Sequence, residues 1–276
     1  MPNLNNLTLA IRAAVEAGKA ILEVYGSEFE VDYKEDNSPL TLADKKAHAV
    51  ISRHLSETGI PLLSEEGKAL SFEERKTWDT LWIVDPLDGT KEFVKRNGEF
   101  TVNIALVSLG KPVLGVVFAP VRALLYFALP ELGAFKLDGM EKVGDLVSRI
   151  DGDGFAMDDL VGNAAKLPLE NTEDRPYTIV GSRSHATEAL EAFVDAKRRE
   201  YEKIEFIPAG SSLKLCLVAE GRADIYPRLA PTMEWDTAAG HAVAQCAGAR
   251  IYDHASGKSL IYNKADLLNP WFIVER

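Results

Sequence analysis

Cysteine is scarce in this chain. The two present in 276 residues, Cys216 and Cys246, sit in apolar helical contexts and form no metal-ligand pattern. That excludes a cysteine-built zinc site and leaves both thiols expected as reduced and buried, as suits a cytosolic compartment. Positive charge is also short: 31 Lys and Arg against 42 Asp and Glu give a formal net charge of −11. This argues against a polymeric nucleic acid as partner, because such binders present a basic face. Long apolar runs are missing, and no stretch approaches the roughly 20 residues of a membrane span. Arg12, Glu16 and Lys19 interrupt the apolar pattern of the first 25 residues, so no signal peptide is expected there. What remains is ordinary globular material, 46% hydrophobic and 26% charged. It is enough for one large domain or two modest ones sharing an interface. A cytoplasmic enzyme is the expectation.

Apolar residues Leu4, Leu7, Ile11, Ala14, Val15, Gly18, Ile21, Leu22 and Tyr25 recur at helical spacing. They predict a long amphipathic first helix, ended by Gly26. A short strand over 31–33 and a polar, turn-rich loop at 34–39 precede a second helix over about 41–55. Strand-like runs at 102–107, 113–118 and 124–128 alternate with turns and predict an antiparallel meander, followed by a last strand beginning at Gly133. The polar region 141–176 reads as a connection. Its Asp151-Gly152-Asp153-Gly154 fails as a calcium loop, which would need Asp or Asn at Phe155 and Gly at Ala156. Beyond it strands are expected at 177–180, 204–207, 223–226, 250–252 and 271–274, with helices over about 187–199, through Lys214 and Val218, and over 237–246. Small-residue turns, Gly181-Ser182-Arg183-Ser184-His185 and Gly210-Ser211-Ser212, lead into two of these helices, whose starts are potential anion sites. The division expected is an α+β part over 1–140, a connecting region over 141–176 and an α/β part over 177–276.

The acids stand at the ends of strands. Leu81 to Val84 reads as a buried strand stopped at Asp85-Pro86, where proline removes a backbone donor. Asp85 and Asp88 follow with the Leu87 carbonyl between them, and then Gly89-Thr90 at what reads as a helix start, where free amides favour anions. Carboxylates and a carbonyl suit a hard cation such as Mg²⁺. Ser64-Glu65-Glu66-Gly67 follows another apolar run and on its own reads as a solvated turn. Asp44, in Thr41-Leu42-Ala43-Asp44, reads on its own as a capping-box acid. Asp236, before Thr237-Ala238-Ala239-Gly240, reads on its own as a helix N-cap.

Asp85-Pro86-Leu87-Asp88-Gly89-Thr90 resembles the signature of the inositol monophosphatase superfamily of metal-dependent, lithium-sensitive phosphatases. Its continuation through Lys91-Glu92-Phe93 and Asn97-Gly98-Glu99-Phe100-Thr101-Val102-Asn103 resembles one branch, the 3′(2′),5′-bisphosphate nucleotidases of the CysQ type. Trp235-Asp236 with Ala238-Ala239-Gly240 resembles the second family signature, so the likeness spans nearly the whole chain. It implies a layered αβαβα sandwich of the inositol monophosphatase and sugar phosphatase type, with two or more Mg²⁺ ions held by Glu65, Asp85, the Leu87 carbonyl, Asp88 and Asp236. Glu66 is left as structural. It makes Asp44 and Thr90 the proton-transfer pair that activates water.

In relatives that hydrolyse inositol phosphates an acidic residue precedes the second signature. Here, at an offset spacing, stands Arg228, whose guanidinium suits a second phosphate. Ser182, Arg183, Ser184 and His185, with Ser211 and Lys214, resemble the branch's nucleotide and 5′-phosphate contacts, although Arg183 and Lys214 also read as ordinary surface charge. Glu65, Leu87, Asp88, Gly89, Thr90 and Asp236 complete the substrate surround. The implied reaction is Mg²⁺-dependent removal of the 3′-phosphate of adenosine 3′,5′-bisphosphate to give AMP and phosphate, linked to sulfate assimilation. Lithium sensitivity and, in a bacterium, a peripheral place at the inner membrane come from the resemblance alone. Two other readings stand beside it: an inositol 1-phosphate or sugar phosphatase, and a non-catalytic metal or nucleotide sensor. Oligomeric state is not legible.

Overall fold

The computed structural model describes residues 3–26, 31–33, 39–152, 154–169, 175–182 and 187–276, with only the backbone described at 31–33 and 39–41. The first helix, α1 (Leu4–Tyr25), is capped by the Asn3 side chain, which accepts from the Asn6 amide at 2.9 Å. A two-stranded ribbon, β1 (Val31–Tyr33) and β2 (Pro39–Thr41), leads into α2 (Leu42–Ser56). Then come β3 (Leu62–Ser64), the single turn α3 (Phe72–Arg75), β4 (Thr80–Asp88) and α4 (Thr90–Val94). The expected meander follows as β5 (Thr101–Ser108), β6 (Lys111–Ala119), β7 (Leu124–Leu129) and β8 (Gly133–Asp138).

The region read as a connection is structured over much of its length. It holds α5 (Met140–Ile150), α6 (Met157–Val161) and β9 (Ala165–Leu167), and β9 pairs antiparallel with β8. The first sheet therefore runs β3-β4-β5-β6-β7-β8-β9 in sequence order, antiparallel except for the β3–β4 pair. Polar residues misled the reading because α5 buries only Val143, Leu146 and Val147 and leaves its other face to solvent.

The second half adds β10 (Tyr177–Ser182), α7 (Glu188–Glu200), β11 (Ile204–Ala209), α8 (Leu213–Glu220), β12 (Ile225–Arg228), α9 (Glu234–Cys246), β13 (Arg250–Asp253) and β14 (Phe272–Glu275). Its sheet has the order β11-β10-β12-β14-β13, parallel on one side and antiparallel on the other.

Alternation along the strands builds the layers. Trp82, Val84, Ile104, Leu106, Val116 and Phe118 pack with α1, α2 and α5. Their neighbours Leu81, Ile83, Ala105, Val107, Val117 and Ala119 pack with α8 and α9. Val180, Tyr226, Phe272 and Val274 of the second sheet close over the other side of those helices, and Ile179, Ile225 and Ile273 turn outward to Leu190 and Val194 of α7. The result is the αβαβα sandwich, with α8 and α9 as its middle layer. Cys216 is buried in α8, but Cys246, at the end of α9, is only partly covered, contrary to expectation; both thiols are free. No described helix is long and apolar enough to cross a membrane.

The middle layer lies very close to the first sheet. A Cβ on Gly115 of β6 would stand 2.3 Å from the Ala239 carbonyl oxygen and 2.8 Å from the Ala242 Cβ. Glycine is what lets α9 seat there. Gly115→Ala is expected to destabilise the fold by about 1–3 kcal/mol, the usual cost of overpacking. Chemical denaturation would show this as a lower midpoint at unchanged slope, and an unchanged midpoint would refute the tight seat.

Candidate active site at the seam of the two sheets

Carboxylates from three separate elements meet where the middle layer reaches the ends of β3 and β4. One oxygen each of Glu65, Asp85 and Asp236 lies within 4.8 Å of the others. Glu65 stands on the turn after β3, with its amide donating to Val84 O at 3.2 Å, and its side chain is exposed. Asp85 is 1% exposed. The strand does not stop at Asp85-Pro86 as expected. β4 continues to Asp88 through a bulge, pairing Asp85 with Asn103 and Asp88 with Thr101. Proline is tolerated because the bulged stretch needs no ladder donor there. Inside the bulge Asp85 Oδ1 accepts from the Leu87 amide at 3.0 Å.

Asp236 is not the N-cap of α9. Met233 holds that position, and Asp236 lies three residues later with its Oδ2 accepting from the Met233 amide at 2.9 Å. The neighbouring Glu234, wholly buried, accepts from the Asn263 amide at 2.6 Å and pairs with Lys264. Arg75 of α3, also buried, donates to Asn263 Oδ1 at 2.9 Å and to Ala265 O at 3.0 Å. The start of α9 is thereby tied to the last long loop and to the first half of the chain. Sequence reasoning missed these residues, since nothing local marks an Arg or Glu as buried.

Asp88 stands beside the trio and faces a different set of groups. Its Oδ2 accepts from Asn103 Nδ2 at 3.3 Å and from Thr101 Oγ1 at 3.4 Å. Asn103 also donates to Ser212 Oγ at 2.9 Å, and Ser212 Oγ donates to Asp236 O at 2.6 Å. Gly89 follows at φ 95°, a conformation that favours glycine, and a Cβ there would be 2.3 Å from Ser211 Oγ. Ser211 Oγ lies 2.7 Å from Asp88 O and 2.8 Å from Glu99 O and shares its one proton between these carbonyls, stitching the turn to the other half. Thr90 opens α4, and its Oγ1 donates to Leu87 O at 3.5 Å. That short helix is anchored by Phe93, fully buried between Tyr25 and Phe100 with ring centroids 5.1 Å from each. Asp44, 2% exposed in the first turn of α2, is close enough to raise the pKa of Asp85. The Thr41 side chain expected to cap it lies outside the described residues.

Next to the acids opens a cleft of about 540 Å³, lined among others by Asp88, Gly89, Glu92, Ser182, Ser211, Lys214, Tyr226, Arg228 and Asp236. Lys214 is no surface charge. It is 7% exposed, its Nζ donates to Ser211 O at 2.6 Å, and it lies 5.6 Å from the centre of the Tyr226 ring. Arg228, at the end of β12, donates from Nη2 to Pro231 O at 2.6 Å. Its buried Nε has no hydrogen-bond partner among the described residues. Arg183, Ser184 and His185 lie outside the described residues.

Electrostatically the site is under tension. Burial raises the Asp85 pKa well above the ordinary carboxylate value, and Glu65, Asp88, Asp236 and Asp44 add to it. Burial, then Asp88, pushes Asp236 up to about 8. Burial also raises Asp88, against the pull of Lys214, Asn103 and Ser212. Lys214 is lowered to about 8, by burial first and by Arg228 as well, while Asp88 counteracts. Hard oxygen donors this close, resisting ionisation, fit a divalent cation, which would replace the protons they otherwise retain.

The inositol monophosphatase family model matches residues 3–273. The chain belongs to the inositol monophosphatase family. It is 43% identical over 266 residues to the 3′(2′),5′-bisphosphate nucleotidase CysQ of Salmonella typhimurium, covering 95% of this chain and 96% of that one. The Escherichia coli protein of the same name is 44% identical with the same coverage. The crystal structure of CysQ from Bacteroides thetaiotaomicron superposes with a TM-score of 0.88 at 50% identity, covering 98% of this chain and 97% of that one. An inositol monophosphatase of Thermotoga maritima, 22% identical with a TM-score of 0.71, shares the fold.

Raised carboxylate pKa values give a sign for stability. A folded chain that holds the Asp236 proton more tightly than the unfolded chain gains stability below the ordinary value of 3.8 and loses it as pH rises to about 8. A divalent cation removes that loss. The rise in thermal midpoint on adding Mg²⁺ to chelator-treated protein should therefore be larger at about pH 8 than at about pH 5. Titration calorimetry in buffers of different ionisation enthalpy should also detect proton release. An equal midpoint shift at both pH values, with no proton release, would contradict the assignment.

Proposed function

We propose that the protein is a Mg²⁺-dependent 3′(2′),5′-bisphosphate nucleotidase that hydrolyses adenosine 3′,5′-bisphosphate to AMP and phosphate, a cytoplasmic activity linked to sulfate assimilation. The observation that carries this reading is the juxtaposition of two opposite sites. A carboxylate cluster lies beside a cleft that holds buried Lys214 and an Arg228 whose Nε has no partner among the described residues. A substrate with a single phosphate has no use for the second, basic site. A bisphosphate uses both, with one phosphate at the acids and the other on the ammonium and guanidinium donors.

Glu65, Asp85, Asp88, Asp236 and the Leu87 carbonyl would hold two or more Mg²⁺ ions, which supply the positive charge that polarises the phosphoryl group. Asp44 and Thr90 are assigned to orient the attacking water and take its proton. The amides of Gly89 and Thr90 cradle the phosphate, and Ser182, Ser211, Arg183 and His185 complete the nucleotide surround. Lys214 serves as a cation whose pKa, about 8, leaves it charged at neutral pH.

The test is phosphate release from adenosine 3′,5′-bisphosphate, inositol 1-phosphate and fructose 1,6-bisphosphate, with Mg²⁺ present or chelated and one series containing lithium. A strong Mg²⁺-dependent preference for the nucleotide is expected, with inhibition by lithium. Preference for inositol 1-phosphate would overturn the substrate assignment. Asp44→Asn should lower kcat about 10²- to 10⁴-fold, the range for losing a general base. Lys214→Met should raise KM for the bisphosphate about tenfold or more, with a smaller effect on a monophosphate.

A further inference from the structure

The three converging carboxylates are not equally well held. Asp85 is locked in a buried strand, and Asp236 sits in a helix with its carboxylate on the Met233 amide. Glu65 is exposed and lies on the turn between β3 and α3, outside both strand and helix. Its placement therefore depends on how firmly that turn is fixed. Two backbone bonds help, Glu65 N to Val84 O at 3.2 Å and Gly67 N to Ser64 O at 3.0 Å. A side chain adds a further tie. His48 Nδ1 is 3.0 Å from Ser64 Oγ, and its Nε2 is 3.3 Å from Ser52 Oγ. The half-buried ring also packs on the turn, since a Cβ at Gly67 would lie 3.7 Å from His48 Cε1.

His48 stands four residues after Asp44 on α2, so both lie on one side of the helix. We propose that His48 is a positioning residue: it clamps the Glu65 turn to the helix carrying Asp44 and so presets the carboxylate for the cation. This rests on the reading of Glu65 as a cation ligand. Either neutral tautomer suits the site, because the two serine hydroxyls can each donate or accept. The ring acts by geometry. Partners that orient a metal ligand commonly change metal affinity 10- to 100-fold when removed.

The test uses the full-length chain and the metal alone. Binding of Mn²⁺ to chelator-treated protein, read by titration calorimetry, and the Mg²⁺ concentration for half-maximal phosphate release are compared across variants. His48→Ala should weaken Mn²⁺ binding about tenfold or more and raise the Mg²⁺ requirement equally, with kcat at saturating Mg²⁺ nearly unchanged. Ser64→Ala should do the same, and the double variant should be no worse than either alone. His48→Asn, which can still reach Ser64 Oγ, should recover much of the affinity. Glu65→Gln separates the two levels of the argument. If it leaves Mn²⁺ binding intact, the ligand reading of Glu65 fails. If it weakens binding while His48→Ala does not, the clamp alone fails. Additive effects of His48→Ala and Ser64→Ala would also refute the clamp. Metal-free thermal midpoints near the parent value show that the variants fold.

Discussion

Like charges drawn together against their own repulsion are the condition on which this site rests. At the 4.8 Å that bounds the carboxylate oxygens of Glu65, Asp85 and Asp236, each ionised pair costs on the order of 3 kcal/mol at an effective dielectric of about 20. Free side chains would drift apart. The fold prevents this by giving each acid a separate anchor: the turn after β3, the bulge of β4 and the first turn of α9. Where the acids cannot separate, protons or a cation must settle the charge, and the raised pKa values of Asp85 and Asp236 express that conflict.

The middle layer turns this into a site with two characters. α8 and α9 are covered on both sides, by the first sheet through Ala105 and Val107 and by the second through Val180 and Phe272. The ends of these helices face one cleft, Asp236 at the start of α9 and Lys214 near the start of α8. One acid and one base, Asp236 and Lys214, thus come from adjacent helices of one layer, and Asp88 at the end of β4 is close enough to Lys214 for the two to shift each other's pKa.

Much of this was legible in the sequence, and the illegible parts share a cause. The meander and the alternating second half appeared as apolar runs broken by turn residues, and Asp85 through Thr90 was readable because its chemistry is contiguous. The continuation of β4 past Pro86 was not, because only the partner strand β5 shows that a bulge absorbs the proline. Lys214 was left open between surface charge and site. A helix buried on both faces, as Leu213, Leu215, Cys216 and Val218 are, has no polar stripe to mark where its lysine points. Asn103, Ser212, Glu234, Arg75 and His48 matter through partners as many as 190 residues away, as in the bond from Arg75 to Ala265. No local pattern carries that information.

The seam itself is cross-stitched. Asn103 of the first sheet donates to Ser212, which donates to the backbone of Asp236, and Ser211 binds the carbonyls of Asp88 and Glu99. Parting the first sheet from the middle layer would break the bonds that Asn103 and Ser211 make across the seam and expose one face of α8 and α9 to water, the second sheet still covering the other. The bonds that join the halves therefore also fix how far the carboxylates stand from the basic cleft, so the spacing between the two sides of the site belongs to the seam as a whole.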